Sequence, residues 1–350
     1  MNNRIEKVQN IARQLQVDFL LFEDEVSLFY LTGMHFSQGK LIVGHGKVCL
    51  FVDSRYSEAA KEKGLFEVAD NNAGAVTKFL SDLVPEGGKV AVDGKSVTHS
   101  NFLRLQKELA KMELIGHDDL LKEMRIIKDP EEIASMKKAA ALSWRGFHYI
   151  CSLLKEGITE EWLAMEYEVF CRHAGAEKLA FDPIVCFGKN GARPHHRPGS
   201  TALQINQSVL IDVGVVCDGY HSDMTRVIFF GEADFLLEEY YEVVKKAHAR
   251  ALSLCRPGTA LGDLDRAARE VFLAYGYEEN FIHALGHGIG LETHELFSVS
   301  AKGADSDLQL KPGMTLTIEP GLYKTGLGGV RYEDTIVITH DGYENFYSAH

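Results

Sequence analysis

The chain has 350 residues, 45% of them hydrophobic and 25% charged. That is the balance of a folded globular protein, too long for one ordinary core and suited to two domains. Lys+Arg 37 against Asp+Glu 50 gives a net charge of −13, a field that repels polyanions, argues against nucleic acid as a partner, and suits a protein that gathers carboxylates around a cation. No apolar run approaches the ~18–20 residues of a membrane span, and no signal-peptide core follows Met1. The cysteines (Cys49, Cys151, Cys171, Cys186, Cys217, Cys255) form no Cys-x-x-Cys pair. The expectation is therefore a cytoplasmic protein with reduced thiols and no membrane partner.

In chain order, Ile5, Val8, Ile11, Ala12 and Leu15 mark one helical face, and Phe19–Phe22 reads as a strand. Lys40–Val52 looks like two strands around a glycine turn at Gly44-His45-Gly46. Helices are expected near Ser57–Lys63, Val76–Val84 and Asn101–Lys111, with a strand at Lys89–Asp93. Residues 1–125 thus form a small α/β domain without a dense polar cluster, suited to support or substrate gating. His117–Pro130 reads as a linker into a second domain, residues 130–350. Asp129 is placed to cap a helix that starts at Pro130, with Glu132 as capping-box partner. Ile133, Met136, Ala140, Trp144, Phe147 and Ile150 continue that helix.

The second domain repeats itself weakly. Leu153–Thr159 with Glu168-Val169-Phe170 and Gly175 is echoed by Leu254–Thr259 with Glu270-Val271-Phe272 and Gly276. Leu203-Gln204-Ile205 … Ile211-Asp212-Val213-Gly214 is echoed by Leu308-Gln309-Leu310 … Ile318-Glu319-Pro320-Gly321. Two echoes in the same order suggest a duplicated half, with a site built between the copies.

Val209–Val216 reads as a strand, Cys217-Asp218 as a turn, and Gly219–Phe229 as the returning strand. Pairing centred on that turn sets Asp212 directly opposite Asp223, where like charges repel. A raised carboxyl pKa or a bound cation would relieve the repulsion. In the second copy Met314–Glu319 rises and Val330–Ile338 returns after Gly326, Gly328 and Gly329, so Glu319 and Glu333 can face one another. Four converging acids carry more charge than one divalent ion neutralises, which favours two. His283, His287 and His294 lie in one glycine-rich segment, and the glycines around His287 permit the close backbone approach a ligand loop needs. Carboxylates with one imidazole suit Mn²⁺, with Co²⁺, Fe²⁺ and Zn²⁺ as alternatives.

These motifs resemble the pita-bread metallopeptidases of the aminopeptidase P and prolidase type. Asp212 and Asp223 in Asp-Gly-Tyr-His-Ser-Asp-Met-Thr-Arg, His287 in Gly-His-Gly-Ile-Gly, Glu319 in Ile-Glu-Pro-Gly-Leu-Tyr and Glu333 in Val-Arg-Tyr-Glu-Asp match the family's metal ligands in order. Upstream, Phe29-Tyr30-Leu31-Thr32-Gly33 and Val52-Asp53-Ser54-Arg55-Tyr56 resemble its amino-terminal domain. The implied fold is α/β (α+β), a creatinase-like first domain followed by a pita-bread domain with internal pseudo-twofold duplication. The implied activity is hydrolysis of the Xaa-Pro bond at the N-terminus of peptides or in dipeptides, by a hydroxide bridging two metal ions. Asp223 and Glu333 would bridge the ions, with His287 and Glu319 completing one site and Asp212 the other.

The resemblance also places His195 at the substrate cleft, gives His294 contact with the scissile group, and makes Arg331 the orienter of the acid ligands. Glu319 would move the proton. Each has a plainer reading: a loop histidine for His195, a core or helix-end histidine for His283, a counter-ion for Arg331, and packing for Tyr323 and Tyr220, otherwise candidates for substrate contact. His196 is assigned no role. Proline-containing peptides are the expected substrates and, by analogy alone, a homodimer the expected assembly. The competing functions are a methionine aminopeptidase, whose relatives usually lack such a first domain, and a pita-bread binding module, whose relatives typically lose ligands.

Overall fold

The computed structural model describes residues 2–44, 46–232 and 234–348. They form two compact units, Met1–Arg125 and Ile126–His350. In the first, α1 (Asn2–Gln14), β1 (Phe19–Phe22), α2 (Glu25–Thr32), β2 (Gly39–Gly44), β3 (Lys47–Val52), α3 (Ser54–Lys63), β4 (Glu67–Asp70), α4 (Ala75–Leu83), β5 (Lys89–Asp93), α5 (His99–Glu108), β6 (Glu113–His117) and α6 (Lys122–Arg125) follow in order. The strands make one sheet, β4-β3-β2-β1-β5-β6, antiparallel across β1-β2-β3 and parallel outside it. Its core is apolar: Phe19, Leu21, Ile42, Phe51, Leu80, Val90 and Leu105 are buried together.

Sequence periodicity found the central strands and missed the two edges. Glu67-Val68-Ala69-Asp70 and Glu113–His117 are only half covered, so they carry too few apolar residues to stand out. It also passed over α2, whose Ser27, Leu28, Tyr30, Leu31 and Thr32 are all buried, so no polar face alternates with an apolar one. Of the glycine turn between β2 and β3, His45 lies outside the described residues.

The second unit opens with α7 (Pro130–Ser152) and α8 (Glu160–His173). The expected capping box is present at the start of α7: Asp129 accepts from the Glu131 and Glu132 N–H groups, and Glu132 Oε2 accepts from the Asp129 N–H at 2.8 Å. Next come β7 (Lys178–Leu179), β8 (Ile184–Phe187), β9 (Gln207–Val213), β10 (Val215–Cys217), β11 (Tyr220–His221) and β12 (Met224–Phe230). A second helix pair, α9 (Phe235–Leu252) and α10 (Leu261–Tyr275), leads to β13 (Gly286–His287), β14 (Ser298–Val299), β15 (Thr315–Ile318), β16 (Gly321–Lys324), β17 (Gly328–Arg331), β18 (Asp334–Ile338) and β19 (Tyr343–Asn345). Each half is thus a helix pair followed by long antiparallel hairpins.

The duplication is visible in matching backbone bonds. Gly157 N–H donates to Leu203 O and Leu203 N–H to Ile158 O. In the second half Gly258 N–H donates to Leu310 O and Leu310 N–H to Thr259 O. Leu203 therefore corresponds to Leu310, not to Leu308 as the sequence echo aligns it; with that two-residue correction the spacing agrees with the Asp212–Glu319 echo.

Candidate functional site

The acidic residues sit at strand ends, two from each half. Asp212 is the penultimate residue of β9 and Asp223 directly precedes β12; Glu319 directly follows β15 and Glu333 directly precedes β18. The register of the first hairpin differs from the expected one. Asp212 pairs with Thr225 and Val213 with Met224, so Asp223 lies across from Gly214 and is a diagonal neighbour of Asp212. The turn is the cause: Asp218 (φ 51°) and Gly219 (φ 79°) are its left-handed central pair, where the sequence reading centred it on Cys217-Asp218. An Asp-Gly pair tolerates these angles and Cys does not. In the second hairpin Ile318 pairs with Asp334 and Gly321 with Arg331, a common register that sets Glu319 opposite Glu333 as expected.

The two halves meet through Thr225. Its backbone forms an isolated bridge with Glu333, whose N–H donates to Thr225 O at 3.2 Å, and Thr225 Oγ1 donates to Glu333 Oε2 at 2.6 Å. His287, at the end of β13, completes the group. Ligating atoms of Asp223, His287 and Glu333, all buried, lie within 4.8 Å of one another. His287 Nε2 is 3.3 Å from Glu319 Oε1 and 3.7 Å from Asp223 Oδ2.

The carboxylates of this cluster repel one another, and protonation or a bound cation relieves the repulsion. Burial, reinforced by the neighbouring carboxylates, pushes Asp223 and Glu333 well above the usual carboxylate range. Burial raises Glu319 to about 8, against the pull of Arg331. Asp212 Oδ1 and Glu333 Oε1 are buried without a hydrogen-bond partner among the described residues, a costly arrangement unless something else binds them. Burial lowers His287 to about 3, so its imidazole is neutral. With Nδ1 3.1 Å from Gly288 O, Nδ1–H donates there and the Nε2 lone pair faces the acids, which is the ligating form. This oxygen-rich set with one imidazole fits divalent cations.

Arg331 is the buried counter-charge. It donates Nη2–H to Asp212, Nη1–H to the Tyr323 hydroxyl at 2.8 Å and Nε–H to Thr225 Oγ1 at 3.0 Å. The Tyr323 hydroxyl donates onward to His283 Nε2 at 3.0 Å, while His283 Nδ1 is 2.8 Å from Ala284 O. Burial lowers His283 to about 4 and raises Tyr323 to about 12.

Beside the acids opens a cavity of about 700 Å³. His195, His283, His294 and Arg331 line it along with all four acids and His287, and Phe181, Pro183, Pro194 and Phe297 give it an apolar wall. His294 packs edge-on against the His287 ring at 4.0 Å between centroids. Tyr323 and Tyr220 are not among the lining residues: Tyr323 holds Arg331 and His283 from behind, and Tyr220 is buried with its hydroxyl 2.7 Å from Glu132 Oε1.

Three further groups had no local signal. Thr225 is an unremarkable strand residue until its cross-half partner is known. Lys128 and Glu295, 2% and 1% exposed, form a 2.6 Å ion pair directly beside His294. Glu160, fully buried, accepts from the Phe187 N–H, Asn190 Nδ2, His196 Nε2 and the Gly199 N–H. His196 thus anchors the loop through Glu160, and both His195 and His196 line the cavity. Each partnership spans 27 or more residues, beyond the reach of periodicity.

Residues 134–340 match metallopeptidase family M24, and residues 4–127 match the creatinase/prolidase N-terminal domain. A Pyrococcus furiosus protein described as an Xaa-Pro dipeptidase is 33% identical over 345 residues, 98% of this chain and 97% of that one. Among solved structures, an Xaa-Pro dipeptidase from Bacillus anthracis superposes with a TM-score of 0.94 at 30% identity, covering 99% of this chain and 97% of the other. An X-Pro aminopeptidase from Thermotoga maritima superposes with a TM-score of 0.89 at 32% identity, covering 97% of each.

Proposed function

Because the chain belongs to metallopeptidase family M24 and carries a creatinase/prolidase-type N-terminal domain, we propose that it hydrolyses the peptide bond to the nitrogen of proline, with Asp212, Asp223, His287, Glu319 and Glu333 holding two divalent cations. The observation that carries this reading is the cluster itself: buried carboxylates from both halves, two with orphaned oxygens, around a neutral imidazole. Mn²⁺ is the cation the donor chemistry favours, ahead of Co²⁺, Fe²⁺ and Zn²⁺. Bound there, such ions polarise a carbonyl and acidify water.

The chain's own residues do the rest. Asp223 and Glu333, buried where the halves meet, would hold the cations from that seam. Glu319, whose Oε1 lies 3.3 Å from His287 Nε2, accepts the proton of the attacking water and returns it to the departing proline nitrogen. His294 and His195 donate to the carbonyl oxygen as charge develops. Arg331 holds Asp212 and, through Thr225, Glu333 in register. The apolar wall receives the pyrrolidine ring. The prolyl bond is a tertiary amide without N–H, and nothing in this arrangement requires that N–H. The cysteines are all unpaired, and five of them are buried, as suits a reducing cytoplasm.

The deciding experiment loads the protein with Mn²⁺, Co²⁺ or Zn²⁺ and compares Ala-Pro with Ala-Ala. Cleavage of Ala-Pro alone is the expected result; absence of turnover with every metal rejects the reading.

A further inference from the structure

The cavity wall contains one guanidinium that nothing in the site consumes. Of the two arginines that line it, Arg331 is buried and committed to Asp212, Tyr323 and Thr225. Arg197 is exposed and makes no hydrogen bond or ion pair with any described residue. The backbone beneath it is nevertheless fixed. Glu160 holds His196 Nε2 at 2.8 Å on one side and the Gly199 N–H at 3.2 Å on the other, and Pro194 and Pro198 restrict φ at both ends of the segment. A firmly anchored loop thus presents an uncommitted planar cation to the same cavity as His195.

Most of the other charged groups that line the cavity are already engaged: Glu295 pairs with Lys128, Arg331 with Asp212, and the clustered acids would hold the cations. A proline at the end of a dipeptide carries a free carboxylate, whereas proline inside a longer peptide offers a neutral amide. Arg, unlike Lys, matches a carboxylate with two parallel N–H donors.

We propose that Arg197 receives the free carboxylate of the C-terminal proline, so that this chain acts on Xaa-Pro dipeptides in preference to longer peptides. The assignment rests on the Xaa-Pro reading above and adds to it the residue that measures substrate length.

The test compares Ala-Pro, its C-terminal amide and Ala-Pro-Ala on the Mn²⁺-loaded protein and on Arg197→Met and Arg197→Lys. The native chain should show a KM for Ala-Pro about 10-fold or more below those for the amide and the tripeptide. Arg197→Met should shrink that ratio to within about threefold, and Arg197→Lys should fall between, since it keeps the charge and loses the fork. A calorimetric titration of L-proline against L-prolinamide reads the same preference without turnover and should show the same collapse. The assignment is overturned if the native chain treats acid and amide alike, or if Arg197→Met weakens both equally, as general damage to the loop would. Failure to cleave any of the three peptides sinks the Xaa-Pro reading instead, and the assignment goes with it.

Discussion

His287 faces Glu319 and Asp223 as a neutral ring because burial holds its pKa near 3, and His294 stacks edge-on against it without facing those acids at comparable distance. That division sets separate expectations for the two. His294→Ala should lower kcat about 100-fold, the scale of losing one donor to a developing oxyanion, while metal content by elemental analysis stays at the native level. Loss of metal together with activity would assign His294 to the ligand set. Glu160→Gln tests the loop beneath His195. A neutral amide replaces one acceptor oxygen of a buried carboxylate that holds four donors, and should cost about 2–3 kcal/mol, read as a fall in denaturation midpoint. Residues of the first kind were legible in sequence because their chemistry is local: an acid beside a turn, a histidine among glycines. Glu160, Thr225 and Lys128 were not, because each acquires meaning from a partner far along the chain.

The hairpins show how little sequence separates a right register from a wrong one. Both copies present an acid at the end of a rising strand and another before the return, and the glycine-rich loop of the second still delivers Glu319 opposite Glu333. In the first, the left-handed pair Asp218-Gly219 moves the turn by one residue and every cross-strand partner by two. The parity is preserved, so both carboxylates keep their face. Gly214, across from Asp223, makes this packing possible: a Cβ there would lie 2.0 Å from Ser222 O. Gly214→Ala should therefore cost about 2–3 kcal/mol through overpacking and weaken metal binding by displacing Asp223, both measurable by thermal melts with and without Mn²⁺.

Helix α9 supplies a pH signature of its own. His248 is buried against the Tyr332 ring, 3.4 Å from Asp334 Oδ2, with Arg226 also facing it. Burial lowers its pKa from 6.5 to about 4, Arg226 in the same direction and Asp334 against it. The unfolded chain then binds the extra proton first, so this contribution is complete above pH 6.5 and is lost as pH falls towards 4. It amounts to at most about 3 kcal/mol. His248→Gln should flatten the stability profile between those limits in urea unfolding; an unchanged profile would show that His248 titrates alike in the folded and unfolded chain.

At the scale of the whole chain, the second unit brings two halves together around like charges, and the direct stitch between their strands at the site is the Thr225–Glu333 bridge. Packing of the shared apolar core, including Leu210, Leu316, Val330 and Ile336, must hold the acids close at a net unfavourable electrostatic cost until cations neutralise them. Metal is therefore expected to act as a structural partner of this unit as well as a catalytic one. Ions at 100 times their dissociation constant stabilise by about 2.7 kcal/mol per site. For a unit of this size that corresponds to roughly 5–10 °C in melting temperature. Both tryptophans, Trp144 and Trp162, belong to the second unit, so their fluorescence reports its unfolding selectively. The melt followed in that way should move up on loading with Mn²⁺ and return on adding EDTA, with two equivalents of manganese retained per chain after gel filtration. A melt indifferent to both reagents, or retention of a single equivalent, would contradict the picture of four acids and one histidine arranged for a pair of ions.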